Sequence, residues 1–182
     1  MKAQDLLNQY AAREWNFQEA NLANASLSGV NLSRADLSKA DLSRADLSRA
    51  ELSGTSFHCA NLTNADLSGA DLTGANLTEA NFIGADLTGA NLSGADLSGA
   101  DMRCANLHGA NLTGAHLTDA ELSGADLSGA YLKNATLAGA CLVGADLIGV
   151  DLSGTDLPEE QLNGEITPTG ISHNWVSWNG SC

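Results

Sequence analysis

The sequence predicts an all-β solenoid, a chain coiled into a rod around a filled apolar axis, and three observations predict it. A large apolar residue recurs at every fifth position from 17 to 157, twenty-nine times in all; twenty-five are Leu and the rest are Phe17, Phe57, Phe82 and Met102. The residue two before it is Ala in twenty-four of the twenty-nine repeats, with Trp15, Val30, Thr55, Val150 and Thr155 as exceptions. Glycine recurs two after it, as at Gly69, Gly74, Gly84, Gly89, Gly94 and Gly99. A fixed short period filling most of a chain is the signature of a repeat architecture.

A period of five excludes the simpler elements. On a helix, at about 100° per residue, five steps turn a side chain by about 140°, so the leucines would wind round the axis instead of forming a stripe. In a straight strand an odd step sends successive leucines to opposite faces. Every Leu stays inside only if each pentapeptide makes one short extended side and then turns a corner. Ala then fills a second inward position too crowded for more than a methyl, and Gly falls where a turn exploits positive φ. The period alone leaves open whether three or four sides close a coil.

The elements follow in chain order. In "AQDLLNQYAAREW", Leu6, Leu7, Tyr10 and Ala11 recur at helical spacing with Asp5 in the first turn, which predicts a capping helix within residues 1–14. The repeat array occupies 15–157. Residues 158–182 form the second cap: Pro158 opens a helix, Glu159 and Glu160 sit in its first turn, and Gly164 stops it. Ile166, Ile171, Trp175, Val176 and Trp178 supply apolar area to lid the last coil. Trp175 and Trp178 are also the candidate interface of an end-to-end homodimer, the alternative to a monomer.

The tandem A-[D/N]-L-[S/T]-G, as in "ADLSGADLTGANLTEANFIGADLTG" over 65–89, resembles the pentapeptide repeat family across about residues 15–157. The long uninterrupted array is similar to that of cyanobacterial members. The resemblance implies a right-handed quadrilateral β-helix with four pentapeptides per coil and Leu stacked on Leu. At a strand spacing of about 4.8 Å, the sides make a little over seven coils and a rod of roughly 35 Å. Each coil touches only its neighbours, and an uncovered end would be a sticky edge, hence the helical caps.

With twenty residues per coil, the outward residues that precede each Leu sort into four columns. One reads Ser26, Asp46, Asp66, Asp86, Asn106, Asp126, Asp146, and its carboxylates are the candidate partner-binding file. Two carboxylates about 5 Å apart repel by about 0.8 kcal/mol even in bulk water. Asp and Asn also suit this position because their side chains hydrogen-bond nearby backbone at turns. A second feature is a basic belt: Arg34, Lys39, Arg44 and Arg49 occupy one repeat position on four successive sides, where exposed pairs with Asp36, Asp41, Asp46 and Glu51 are expected, the alternatives being a mark of polarity or a dock for an acidic partner.

The net charge of −14 is unevenly placed. Residues 1–50 hold six basic and six acidic residues, whereas beyond 50 only Arg103 and Lys133 oppose sixteen carboxylates. Affinity for phosphates is built on Lys and Arg, so direct binding of nucleic acid is disfavoured and a protein partner with a basic surface is favoured. No stretch approaches the roughly 18 apolar residues of a membrane span, and the start lacks the apolar region of a secretory signal, so a cytoplasmic location without membrane contact is expected. Cys59, Cys104, Cys141 and Cys182 lie far apart in sequence, without zinc-site spacing, and are expected as reduced thiols.

A filled coil has no cavity in which a base could be oriented against a nucleophile. His58, His108 and His116 lie at outward positions on differing coils and His173 in the tail, so no enzyme, metal or cofactor is expected. The expected function is that of a rigid acidic scaffold for another macromolecule. The resemblance implies an alternative, because family members of the quinolone-resistance type mimic DNA and inhibit DNA gyrase; this chain lacks the loop insertions some of them use. A further alternative is cation binding by Asp46, Asp66 and Asp86, or a stress-tolerance role in which hydroxyl files such as Ser33, Ser53, Thr73, Ser93 and Thr113 order water.

Overall fold

The computed structural model describes residues 1–157. The C-terminal helix and the Trp175 and Trp178 interface expected at 158–182 lie outside the described residues. Within 16–151, every side makes isolated parallel bridges to the residue twenty positions away, from Asn16 with Asp36 to Tyr131 with Asp151. Twenty residues are four pentapeptides, so four sides close one coil. Each side contributes a single bridged residue, and the β character takes the form of bridges instead of strands. The reason is local: two residues of every five are spent on the corner.

The pentapeptide 66–70 accounts for all five of its N–H groups. Leu67 and Gly69 donate to the next coil, at Asp86 O (2.7 Å) and Thr88 O (2.9 Å), and Asp66 donates to the previous one at Ala45 O (2.9 Å). Ala70 donates to Leu67 O at 3.0 Å and closes the turn. The fifth, on Ser68, donates to the side chain of Asp66 at 2.9 Å. Buried and half-buried backbone polar groups must be paired somewhere, and this pattern repeats along the array.

The turn has positive φ only at its third residue, the signature of type II. Every such position from Glu19 to Gly154 has φ above zero, and glycine fills sixteen of them. The others include Arg34, Lys39, Arg44, Arg49, Cys59 and Cys104. A left-handed conformation costs an L-residue roughly 1–2 kcal/mol relative to glycine, and the repeating inter-coil bonds hold these residues in it.

Inside, the leucines from Leu22 to Leu142 and the alanines from Ala35 to Ala135 are sealed from solvent. The first coil is less covered: Ala20, Ala25 and Val30 are partly buried, and Trp15 is half exposed. Thr55 takes an alanine place with its hydroxyl donating to Leu32 O at 2.9 Å, so the one buried polar side chain of the described core is satisfied.

One helix, α1 (Ala3–Ala11), lies against this open end. It buries Leu6 completely and packs Ala3, Leu7 and Tyr10 on the core. Ala11 departs from the expected apolar face and is exposed, because the helix ends there. Two bonds tie α1 to edge carbonyls of the first coil: the Met1 amine donates to Asn21 O (2.7 Å) and the Tyr10 hydroxyl to Ser33 O (3.0 Å). No helix of the described residues is long and apolar enough to cross a membrane.

Candidate interaction surface

The residue before each inward Leu carries the surface chemistry, and its local duty comes first. Every Asp and Asn at this position from Asn16 to Asp151 accepts, through Oδ1, the N–H of the residue two further on. That is the N–H the backbone cannot satisfy, and either side chain serves equally well. The Ser or Thr two residues on often adds its hydroxyl, as Thr88 does to Asp86 at 2.6 Å.

The fold therefore explains Asx at this position but not the choice of Asp over Asn. Parallel bridges place Ser26, Asp46, Asp66, Asp86, Asn106, Asp126 and Asp146 in one file. The five carboxylates are half-buried, each with Oδ1 turned back on its own corner. Among the described residues no donor meets their second oxygens.

The flanking columns are built differently, in a way the sequence reading missed. Asn61 donates its amide to Asp41 Oδ1 (3.1 Å), Asn91 donates to Asp71 Oδ1 (3.4 Å), and Asn31 donates to Glu51. The alternation of Asn and acid at twenty-residue spacing was the available signal. Hydrogen bonding also sets the acidity. The Ser48 hydroxyl, then its N–H, holds Asp46 below its ordinary value against a small opposing effect of burial. The Ser43 hydroxyl and N–H do the same for Asp41, with Asn61 assisting.

The belt residues Arg34, Lys39, Arg44 and Arg49 are exposed at four successive corners, but the expected ion pairs do not form. Among the described residues the only ion pair is Arg103 with Asp101, at 2.7 Å. The carboxylates meant for the belt take local hydrogen bonds, Asp36 from Ser38 and Gln18, Asp41 from Ser43 and Asn61, Asp46 from Ser48 and Glu51 from Asn31, and none of them meets a belt side chain. The stems of Arg34 and Arg49 run along the axis instead, over Gly54 and Gly69 of the next coil.

The remaining candidates are dispersed. His58 and His108 bond hydroxyls one coil on, at Thr78 and Ser128, both at 2.8 Å. Cys59 lies 3.4 Å from the His58 ring and from Glu79, and partial burial followed by the Glu79 carboxylate pushes its thiol up, away from reactivity. Cys59 and Cys104 are free thiols as expected, whereas Cys141 is disulfide-bonded and corrects the expectation there. Among the described residues no three His, Cys, Asp or Glu side chains gather as a metal site, so the acidic file offers no such cation site.

Comparison with known proteins places this geometry. A family model described as pentapeptide repeats matches in eight copies over residues 16–54, 55–94, 80–119 and 115–154. No curated protein matches the chain. Among solved structures the chain is similar to HetL of Nostoc sp. strain PCC 7120, a pentapeptide repeat protein involved in regulating heterocyst differentiation. The identity is 35%, over 95% of this chain and 100% of that one, with a TM-score of 0.43. It is also similar to Rfr23 of Cyanothece 51142, at 28% identity over 84% of this chain and 96% of that one (TM-score 0.45). A third is QnrB1, a plasmid-mediated fluoroquinolone resistance protein, at 25% identity over 80% and 83% (TM-score 0.45). The superpositions are loose, so the assignment rests on the repeat match: the chain belongs to the pentapeptide repeat family.

Proposed function

We propose that this protein is a non-enzymatic, rigid scaffold in the cytoplasm whose acidic file, Asp46, Asp66, Asp86, Asp126 and Asp146, docks a basic surface of a protein partner. One observation carries the reading. Among the described residues no side-chain amide of a neighbouring coil reaches the file's carboxylates, and Asp46, Asp66 and Asp86 stack directly on one another, whereas Asp41, Glu51 and Asp71 in the flanking columns are each met by an Asn amide one coil away. Asn would satisfy the same turn N–H without charge, so stacking Asp on Asp adds repulsion that the fold does not require. Cations of a partner relieve it.

A second reading is DNA mimicry toward a cationic groove. It is supported by the even pitch of the file, one residue per coil at the strand spacing of about 4.8 Å with carboxylates at five of the six places from Asp46 to Asp146, on a rod whose acidic part is almost free of Lys and Arg.

The test compares two variants of equal charge. One changes Asp46, Asp66 and Asp86 to Asn; the other changes Asp36, Asp96 and Asp151, in other columns, to Asn. Both keep their turn bonds. Binding of a fluorescent oligo-arginine peptide should weaken in the first and hold in the second; equal losses would show that net charge alone is read and would sink the file. Inhibition of DNA gyrase supercoiling that disappears with the first variant selects mimicry, and no inhibition at high micromolar protein removes it.

A further inference from the structure

The belt is strained, solvated and unexplained by the fold. Arg34, Lys39, Arg44 and Arg49 occupy the left-handed turn position at φ 64, 59, 57 and 57, where glycine sits at most other corners. Backbone strain that persists on four consecutive corners, with no ion pair to account for it, points toward function. Among the described residues no carboxylate pairs with any of these four side chains, so the cations are open to a partner. Bare corners at Gly54 and Gly69 leave room for the stems of Arg34 and Arg49, which pass over them.

The placement specifies the partner's shape. Four corners of one square coil face four directions, so a flat or convex surface meets two of the cations at most. A flexible chain crossing one side after another meets them all. We propose that the belt docks an extended acidic protein segment that runs around this coil, with one carboxylate cluster at each corner. Duplex DNA is too stiff to make the circuit, its persistence length being about 50 nm. The charge distribution confines the segment: beyond residue 50 only Arg103 and Lys133 oppose sixteen carboxylates, so an anionic chain straying past the belt is repelled.

The experiment uses the full chain and a fluorescein-labelled Glu-rich peptide of about 20 residues, long enough at roughly 3.3 Å each to circle the coil. Fluorescence anisotropy in low salt reads binding. Glycine is the natural replacement at each corner, so the quadruple variant Arg34→Gly, Lys39→Gly, Arg44→Gly and Arg49→Gly should keep or raise its melting temperature. It should bind the peptide at least about tenfold more weakly, since four exposed pairs each contribute a few-fold. Each single variant should lose a similar two- to threefold. Undiminished binding by the quadruple variant overturns the proposal. Dependence on Arg44 and Arg49 alone, the corners flanking Asp46, overturns it in favour of a one-face partner. Tighter, equally belt-dependent binding of a single-stranded oligonucleotide of the same length overturns it in favour of nucleic acid.

Discussion

Asp46 Oδ1 accepts two hydrogen bonds from one residue, the N–H of Ser48 at 3.0 Å and its hydroxyl at 2.6 Å. The carboxylate thus closes a corner before it faces a partner, and the two duties separate by substitution. Asp46→Asn retains the acceptor and should leave the melting temperature nearly unchanged. Asp46→Ala orphans a half-buried N–H and should cost about 1 kcal/mol in chemical denaturation.

The same bonds set a pH dependence. Asp46 is held below its ordinary value in the fold, so the stability it contributes is fully present above the unfolded value of about 3.9 and is lost as pH falls through the folded one. Asp41 and Asp151 are shifted the same way, chiefly by the hydroxyls of Ser43 and Ser153. Melting temperature should be flat above pH 5 and fall below about pH 4. Changing all three residues to Asn should shallow that fall; an unaltered slope would contradict the assignment.

Two glycines of nearly equal φ differ in what surrounds them. A Cβ on Gly89 (φ 63) meets nothing within 4 Å, whereas one on Gly84 (φ 66) lands 2.5 Å from Asn64 Oδ1 in the coil before. Gly89→Ala should cost about 1–2 kcal/mol from strain alone. Gly84→Ala should cost at most about 1 kcal/mol beyond that, because Asn64 is exposed and its amide can swing to another rotamer. Asn64→Gly in the same chain should bring the two substitutions to the same cost.

Phe82 is sealed within the stack of inward side chains. Phe82→Ala opens a cavity mid-rod that the four-sided backbone cannot collapse around, and about 3–5 kcal/mol should be lost. Leu6→Ala removes the anchor of α1 and should expose the first coil instead, read as faster hydrogen exchange of the N–H groups of residues 17–34 with the distal coils unaffected.

The corner and the inward Leu and Ala are legible in the period alone, because an odd repeat has so few ways to stay inside. The four-sided closure came from resemblance, since only contacts twenty residues apart distinguish a square from a triangle. The turn role of Asp and Asn was legible in their chemistry. What escaped was the corner conformation of Arg34, Lys39, Arg44 and Arg49: their place in the repeat is glycine's, but side-chain type masked the shared backbone. Ion pairs are expected from their proximity to acids in sequence and do not form, since the stems of Arg34 and Arg49 run along the axis over Gly54 and Gly69 instead. The Asn31, Asn61 and Asn91 ladders were missed for a related reason, being visible only once coils are laid one on another.

The twenty-residue offset of the bridges makes the molecule behave like an indexed cylinder. Deleting or duplicating one whole coil slides the rod in or out and returns every later residue to its own face. Deleting one pentapeptide preserves every Leu, every corner and the core, but rotates all that follows by a quarter turn. Asp126 and Asp146 would then stand around the corner from Asp46, Asp66 and Asp86. Insertions that the fold tolerates equally well are therefore unequal for its surface, and length can change freely only in steps of a full revolution.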